Sequence, residues 1–308
     1  MKTEPSKLKR LLSSALNQVC RWRALVILGL LSGLIPPALA QPKEHLIWLL
    51  RDLPPLTIFE GPKKGLGVID QLMPRLITGM PQYEHTLIRV NRARGMQMLH
   101  EGSFTCDPSL IWSKEREQSI AFSIPAYRMV SNGLVIRHED RSMLAPFLFG
   151  DEVDLAALLA SGRQKVGVVA ERSYGQFLDT LLQQAPPGVL TPHYGNDALG
   201  SLLQMQRLGR LQAVLGYWPE IRYQARQGNI ADEQLEFYPV KGTGKYLSGY
   251  IGCSNTPQGR QAISEINQLL RALPREQLDP LYADWLDPQR RTDYLEETRA
   301  FFERQATQ

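Results

Sequence analysis

The residues that invite a chemical reading lie in "WSKEREQSIAFSIPAY", Trp112 to Tyr127, where a charged turn meets an extended apolar run ending near a proline. Arg116 stands in the middle of it. A guanidinium presents a planar fork that grips a carboxylate through two parallel hydrogen bonds, which an ammonium cannot do. The same arginine also fits a solvated helix face, paired with Glu115 or Glu117. Other chemistry is thin. "GLGVID" lacks the third glycine of a dinucleotide fingerprint, "GTGK" (Gly242 to Lys245) lacks the spacing of a phosphate loop, and no G-x-S-x-G elbow occurs. The five histidines, among them His85, His100, His138 and His193, show no H-x-x-x-H spacing and read as packing or surface residues.

The elements that must position Arg116 begin after an N-terminal segment of a different kind. Residues 1–40 run from a basic stretch through the apolar "ALVILGLLSGLI" to "PPALA", with small residues at Ala38 and Ala40. That is the layout of a secretory signal peptide, and the apolar run is too short for a spanning helix. The expected mature chain starts at Gln41 and enters the periplasm. Residues 1–40 carry six Lys or Arg and one acid, so the remainder holds 29 basic and 30 acidic residues, a formal net charge of −1. A basic surface for nucleic acid or anionic membrane is thereby excluded. Cys20 leaves with the signal. Cys106 and Cys253 remain, and two cysteines in an exported chain suggest one disulfide, with two separate buried thiols as the alternative.

The rest of the 308 residues has globular composition, 43% hydrophobic and 21% charged. "HLIWLL", "HTLIRV" and "SFTCDPSLI" read as strands, separated by the helical "GLGVIDQLMPRLITGM" and "RARGMQMLHEG". Pro74 in the first of these helices is tolerable only if the helix starts close before it. "SNGLVIR" is a further strand. A second unit opens near Leu155 and repeats the alternation through "QKVGVVA", "SYGQFLDTLLQQ", "GVLTPHY", "LGSLLQMQRLG" and "LQAVLGY". From Tyr250 a strand holding Cys253 leads to an amphipathic helix with Ile263, Ile266, Leu269 and Leu270 on one side. No low-complexity linker divides the units. The pattern predicts α/β architecture with parallel sheets and crossover helices, in two lobes with a cleft between them.

"GLGVIDQLMPRLI", "LHEGSFTCDPSLIWSKEREQSIAFSIPAY", "QKVGVVAERSYG", "LLQMQRLGRLQAVLGY" and "YIGCSNTPQGRQAISEINQLL" follow one another in an order that resembles the bacterial extracellular solute-binding proteins of family 3. These are type II periplasmic binding proteins of the polar amino-acid-binding group, and the likeness is to a divergent two-cysteine branch. The resemblance implies a first lobe from residues 41–132 and 250–308 and a second lobe from 133–249, joined by hinge strands. It places Cys106 and Cys253 on neighbouring strands of the first lobe, where a disulfide would staple its two segments.

The resemblance also implies a site. Ser113 and Arg116, followed by Phe122, Ser123 and Pro125, match the motif whose arginine clamps the ligand's α-carboxylate. Asp52 and Phe59 fall near the family's apolar platform, and Trp112 is a stacking or core residue. Ser173 and Tyr174 lie in a turn before a helix whose free N–H groups hold an anion. Gln212 occupies the place after "G-R-x" where relatives carry an Asp for the ligand's ammonium group, so Glu220 or Asp52 would have to supply a carboxylate. The implied protein is a monomeric, non-enzymatic binder without cofactor or metal. It captures a small carboxylate-bearing solute by hinge closure for the membrane permease of an ABC-type importer. A sensor subunit for a membrane receptor is the alternative, and a lyase or dehydratase on the same fold a lesser one.

Overall fold

The computed structural model describes residues 43–306, so the signal-peptide expectation lies outside the described residues. Two sheets organise the chain. The first has the order β2-β1-β3-β13-β4, with β5 also paired to β13. Its strands are β1 (Glu44–Leu50), β2 (Tyr83–Arg89), β3 (Thr105–Leu110), β4 (Ile120–Phe122), β5 (Tyr127–Val130) and β13 (Tyr246–Ser254). The second has the order β10-β9-β11-β6-β12. It comprises β6 (Gly133–Arg137), β9 (Val166–Val169), β10 (Leu190–His193), β11 (Ala213–Gly216) and β12 (Leu235–Pro239). A small hairpin, β7 (Leu148–Phe149) with β8 (Glu152–Val153), makes a separate two-stranded sheet that is bridged through Val153 to Val240 just after β12.

Within each sheet the strands joined by helices run parallel: β1 with β2 and β3, and β9 with β10 and β11. Short apolar runs such as "VGVV" in β9, buried at every position, have the composition of strands covered on both faces. The crossovers are α1 (Val68–Gly79) and α2 (Arg92–His100) in the first lobe. In the second lobe, after the short α3 (Arg141–Leu144), come α4 (Leu155–Ala160), α5 (Gln176–Gln183), α6 (Ala198–Arg207) and α7 (Trp218–Gln227). The chain ends with α8 (Pro257–Ala272), α9 (Arg275–Ala283) and α10 (Pro288–Ala306). No helix among the described residues is long and apolar enough to cross a membrane.

The chain passes from the first sheet to the second between β5 and β6 and returns between β12 and β13. The two crossing segments are tied together, Ser131 N–H donating to Lys245 O at 3.0 Å. Each lobe keeps its own core. Trp48, Leu46, Ile69, Leu72, Ile251 and Ile266 are fully buried around the first sheet, and Leu134, Val166, Leu215 and Val240 around the second. Trp48 Nε1–H donates to His85 Nδ1 at 3.0 Å while His85 Nε2 meets Met80 O at 2.8 Å, so this histidine serves packing.

Pro74 departs from the expected helix start. Helix α1 begins at Val68, with Pro74 well inside it, so only the bond that a residue-74 N–H would have given Asp70 O is missing. Burial of Val68, Ile69, Leu72, Met73 and Leu76 against the core outweighs that single loss. Cys106 and Cys253 form a disulfide between directly paired positions of β3 and β13. It closes a sequence separation of 147 residues, which in a chain-entropy account contributes at most roughly 4 to 5 kcal/mol.

Candidate functional site

In open α/β sheets, ligands meet residues just beyond the carboxyl ends of parallel strands, where side chains are not needed for packing between layers. A cavity of about 240 Å³ forms there, between the two lobes. The first lobe supplies Arg51 to Leu53 after β1 and Arg89 to Ala93 after β2. The second supplies Val169 to Arg172 after β9, His193 to Leu199 after β10, and Glu220 with Gln224 from α7.

Two arginines in the wall are already spoken for. Arg51 reaches back to Asp107 on β3, Nη1 donating to Oδ2 at 2.5 Å, and its Nη2 donates to Ser109 O at 2.8 Å. Both partners are buried, the side chains being 5% and 0% exposed. Across the cavity, Arg172 donates through Nη1 and Nη2 to the two oxygens of Glu220, at 2.8 and 2.6 Å. Burial would lower the Arg172 pKa, but Glu220 more than offsets it and holds the guanidinium firmly charged. Buried ion pairs of this kind fix geometry; a charge left alone at such depth would be costly.

Arg92, at the first turn of α2, is different. It lines the cavity yet has no side-chain hydrogen bond and no ion pair among the described residues. Burial lowers its pKa well below the usual arginine range, and Arg51 and Arg172 on either side push the same way. Asp107 and Glu220, spent on their own partners, oppose that only in part. A desolvated guanidinium flanked by two others favours an incoming anion. The first turns of α2 and α6 also open on the cavity, and their free N–H groups add positive potential.

Asp52, also of the first lobe, lines the cavity too. Its Oδ1 accepts weakly from Phe59 N–H at 3.4 Å, and Arg89 lies 3.7 Å away. Burial raises its pKa, and Glu60 and Asp197 add to that rise against Phe59 N–H and Arg89. Glu171 takes φ of 57°, in the left-handed region that non-glycine residues seldom adopt. Among the described residues, no cluster of three or more His, Cys, Asp or Glu side chains is arranged to hold a metal ion.

Of the eight residues expected from sequence, Asp52 alone lines this cavity. Phe59 lies at its edge, its ring 4.8 Å beneath Arg89. Arg116 opens a short 3-10 turn and donates Nη1–H to Ile111 O at 3.2 Å. It is without an ion pair among the described residues; burial and Arg51 lower its pKa, opposed by Asp179 of α5 and Asp107. Ser113 accepts the Arg116 backbone N–H at 3.3 Å, and Trp112 is 38% exposed. Ser173 and Tyr174 are consumed inside the second lobe. Asp179 accepts from Ser173 Oγ at 2.5 Å and from Tyr174 N–H at 2.7 Å, and Tyr174 Oη accepts from Val169 N–H at 2.7 Å.

The placement of Gln212 corrects the sequence expectation. Gln212 sits just before β11, at the end of the sheet away from the cavity, where Oε1 accepts from Lys165 N–H at 2.9 Å. The chain reaches the cavity past the other end of that strand, at Glu220. The residues that sequence reasoning missed, Arg51, Arg92 and Arg172, share one signal: each is a charge within a few positions of the end of an apolar strand.

No family model matches the chain, and no curated protein matches it in sequence. Solved structures do match in shape. An amino acid ABC transporter substrate-binding protein of Streptococcus pneumoniae, bound to L-arginine, aligns with TM-score 0.59 at 16% identity over 79% of this chain and 94% of that one. A histidine kinase sensor domain with similarity to periplasmic binding proteins gives 0.62 at 15%, over 79% and 96%. The VFT2 domain of Bordetella pertussis BvgS gives 0.57 at 17%, over 80% and 94%. Likeness at these identities is a likeness of fold, and the chain has the two-lobed fold of the type II periplasmic binding proteins.

Proposed function

We propose that this chain is an exported solute-binding protein that captures a small carboxylate-bearing solute between its lobes. The first lobe is taken as residues 41–132 and 250–308 and the second as 133–249. The observation that carries the reading is Arg92: a partly buried guanidinium in the interlobe cavity without an ion pair among the described residues. In this reading the anion's seat passes from Arg116 to Arg92, because Arg92 faces the cavity while Arg116 spends one donor on Ile111. Closure of the lobes then couples capture to recognition, since a membrane partner meets both lobes in one fixed arrangement only when they are closed. A permease of an ABC-type importer is the partner of first choice. The likeness to a histidine kinase sensor domain supports a membrane receptor as the second. The protein acts as a monomer, without cofactor, and returns its solute chemically unchanged.

The test is the identity of the small molecules released when the purified, exported protein is denatured, followed by calorimetry with the molecule found. Arg92→Ala should weaken its binding by about 2 to 4 kcal/mol, the range for truncating one partner of a buried charge contact. Unchanged affinity in Arg92→Ala, or a released molecule without an acidic group, would overturn the assignment. A larger loss in Arg116→Ala than in Arg92→Ala would return the clamp to Arg116.

A further inference from the structure

Helix α7 separates two cavities. Glu220 and Gln224 line the solute cavity, whereas Pro219, Tyr223 and Arg226, on the adjoining face of the helix, line a second cavity of about 290 Å³ on the outer seam. The first lobe supplies Pro62, Lys63 and Trp285 to it, and the second Arg222, Tyr223 and Arg226. The two walls already touch. The Tyr223 and Trp285 rings meet edge-on with centroids 6.0 Å apart, and Arg222 Nη1 donates to Asp287 Oδ1 at 2.5 Å. A Cβ at Gly61 would come within 3.7 Å of Tyr223 Oη.

The charges of this seam leave a cation over. The lining holds Lys63, Arg222 and Arg226 against one acid, Asp284, which Arg291 holds at 2.7 Å. Arg222 and Arg226 share Asp232, at 3.0 and 2.5 Å, and Arg222 also has Asp287. Counted with these outer partners, four cations (Lys63, Arg222, Arg226, Arg291) meet three carboxylates (Asp232, Asp284, Asp287). The surplus is Lys63, which makes no ion pair among the described residues and rests 4.1 Å above the Trp285 ring. Donors are over as well. Arg222 Nη2 and Arg226 Nη1 give no hydrogen bond among the described residues, their other nitrogens being the ones that serve Asp232 and Asp287. Tyr223 Oη–H and Trp285 Nε1–H are likewise unspent there. Burial, and after it Asp52, raises the Tyr223 pKa, so this hydroxyl keeps its proton; Asp52 itself lies 3.7 Å from Arg89.

We infer that the seam cavity binds a small doubly charged oxyanion, held by Lys63 and Trp285 of the first lobe and by Arg222 and Arg226 of the second. One negative charge balances Lys63, and the other engages the unspent arms of two arginines that have one carboxylate between them. Because the anion touches both lobes, it is held only while they are together, and by linkage it favours the closed arrangement. The site lies outside the solute cavity and stands independently of the solute-binding reading.

Equilibrium dialysis of the intact protein against labelled inorganic phosphate tests it, at mildly alkaline pH where the probe is a dianion and with sodium chloride holding the ionic strength constant. Phosphate should bind saturably, one per chain. Lys63→Gln in one lobe and Arg226→Gln in the other should each weaken it roughly fivefold, the upper end of what an exposed charge contact supplies, with thermal unfolding as the check on folding. Arg92→Ala, in the solute cavity, should leave it unchanged. No saturable binding would overturn the inference. Binding lost in Arg92→Ala but kept in Lys63→Gln and Arg226→Gln would place the anion in the solute cavity and overturn it too. A loss in only one of the two seam variants would overturn the bridge between the lobes.

Discussion

The two lobes meet at the cavity with the same device and opposite surpluses. In each, an arginine just beyond a parallel strand, Arg51 after β1 and Arg172 after β9, is clamped by a carboxylate of its own lobe. Those pairs make a rigid and nearly neutral floor. What differs is what stands around it: the first lobe adds the unmatched Arg92, the second the unmatched Glu171 and Asp197. The first lobe is also stapled by Cys106–Cys253, and among the described residues the second has no disulfide. The lesson is that burying a charge and leaving it available are separate tasks, and that this fold assigns them to different residues a few positions apart.

The sharpest way to break the parallel is to remove one partner of a floor pair. Glu220→Ala should destabilise the protein by about 3 to 5 kcal/mol, because Arg172 would stay buried and uncompensated; chemical unfolding measures it. Asp107→Ala should cost a similar amount if the two lobes do use one device. Removal of the staple by Cys106→Ser/Cys253→Ser should cost about 2 to 5 kcal/mol. Its effect should concentrate in the first lobe, with faster amide exchange in β3, β4 and β13 than in β9 to β11.

A subtler contrast lies at Asp52, whose carboxyl is raised by burial despite Phe59 N–H and Arg89. A raised folded pKa means that the native state holds the proton more tightly than the unfolded chain does. This contribution to stability is present below the ordinary Asp range and is lost as pH rises through the folded value. Asp52→Asn should therefore raise the melting temperature at pH 7, and the gain should shrink as the pH falls toward 3.8, the ordinary Asp value, and below. Smallest is the outer side of the seam. There Arg222 of α7 meets Asp287 at 2.5 Å, and Lys63 lies 4.1 Å over the Trp285 ring. Arg222 and Asp287 are 21% and 42% exposed, so Arg222→Ala should cost only about 0 to 1 kcal/mol and should leave solute affinity nearly unmoved.

The fold was legible because its signals are local. Runs such as "HLIWLL" and "QKVGVVA" fall on β1 and β9, and the cysteine pair sits in register on β3 and β13. The cavity was less legible because its residues are read one strand end at a time. Nothing local to "NRARG" tells that Arg92 will face the other lobe without a counter-charge while Arg94 pairs with Glu101 at 3.3 Å on the surface. Gln212 lies away from the cavity for a related reason: a position one residue before a strand and one just after it differ by the whole length of the strand. Ser173 and Tyr174 follow cavity-lining Arg172 directly, but they turn inward to Asp179 and Val169, five or six positions away.

Strand β13 sets a timetable for synthesis. It is the central partner of β3, β4 and β5, yet it lies more than a hundred residues downstream of all three except by way of the entire second lobe. A chain emerging from its N-terminus first can pair β1, β2 and β3 early, but it must hold an open sheet edge until residues 246–254 appear. The second lobe, whose five strands all lie between 133 and 239, can finish folding before the first one closes. Cys106 consequently waits through nearly half the chain for Cys253, and only the C-terminal helices α8 to α10 remain to pack onto the first lobe after it.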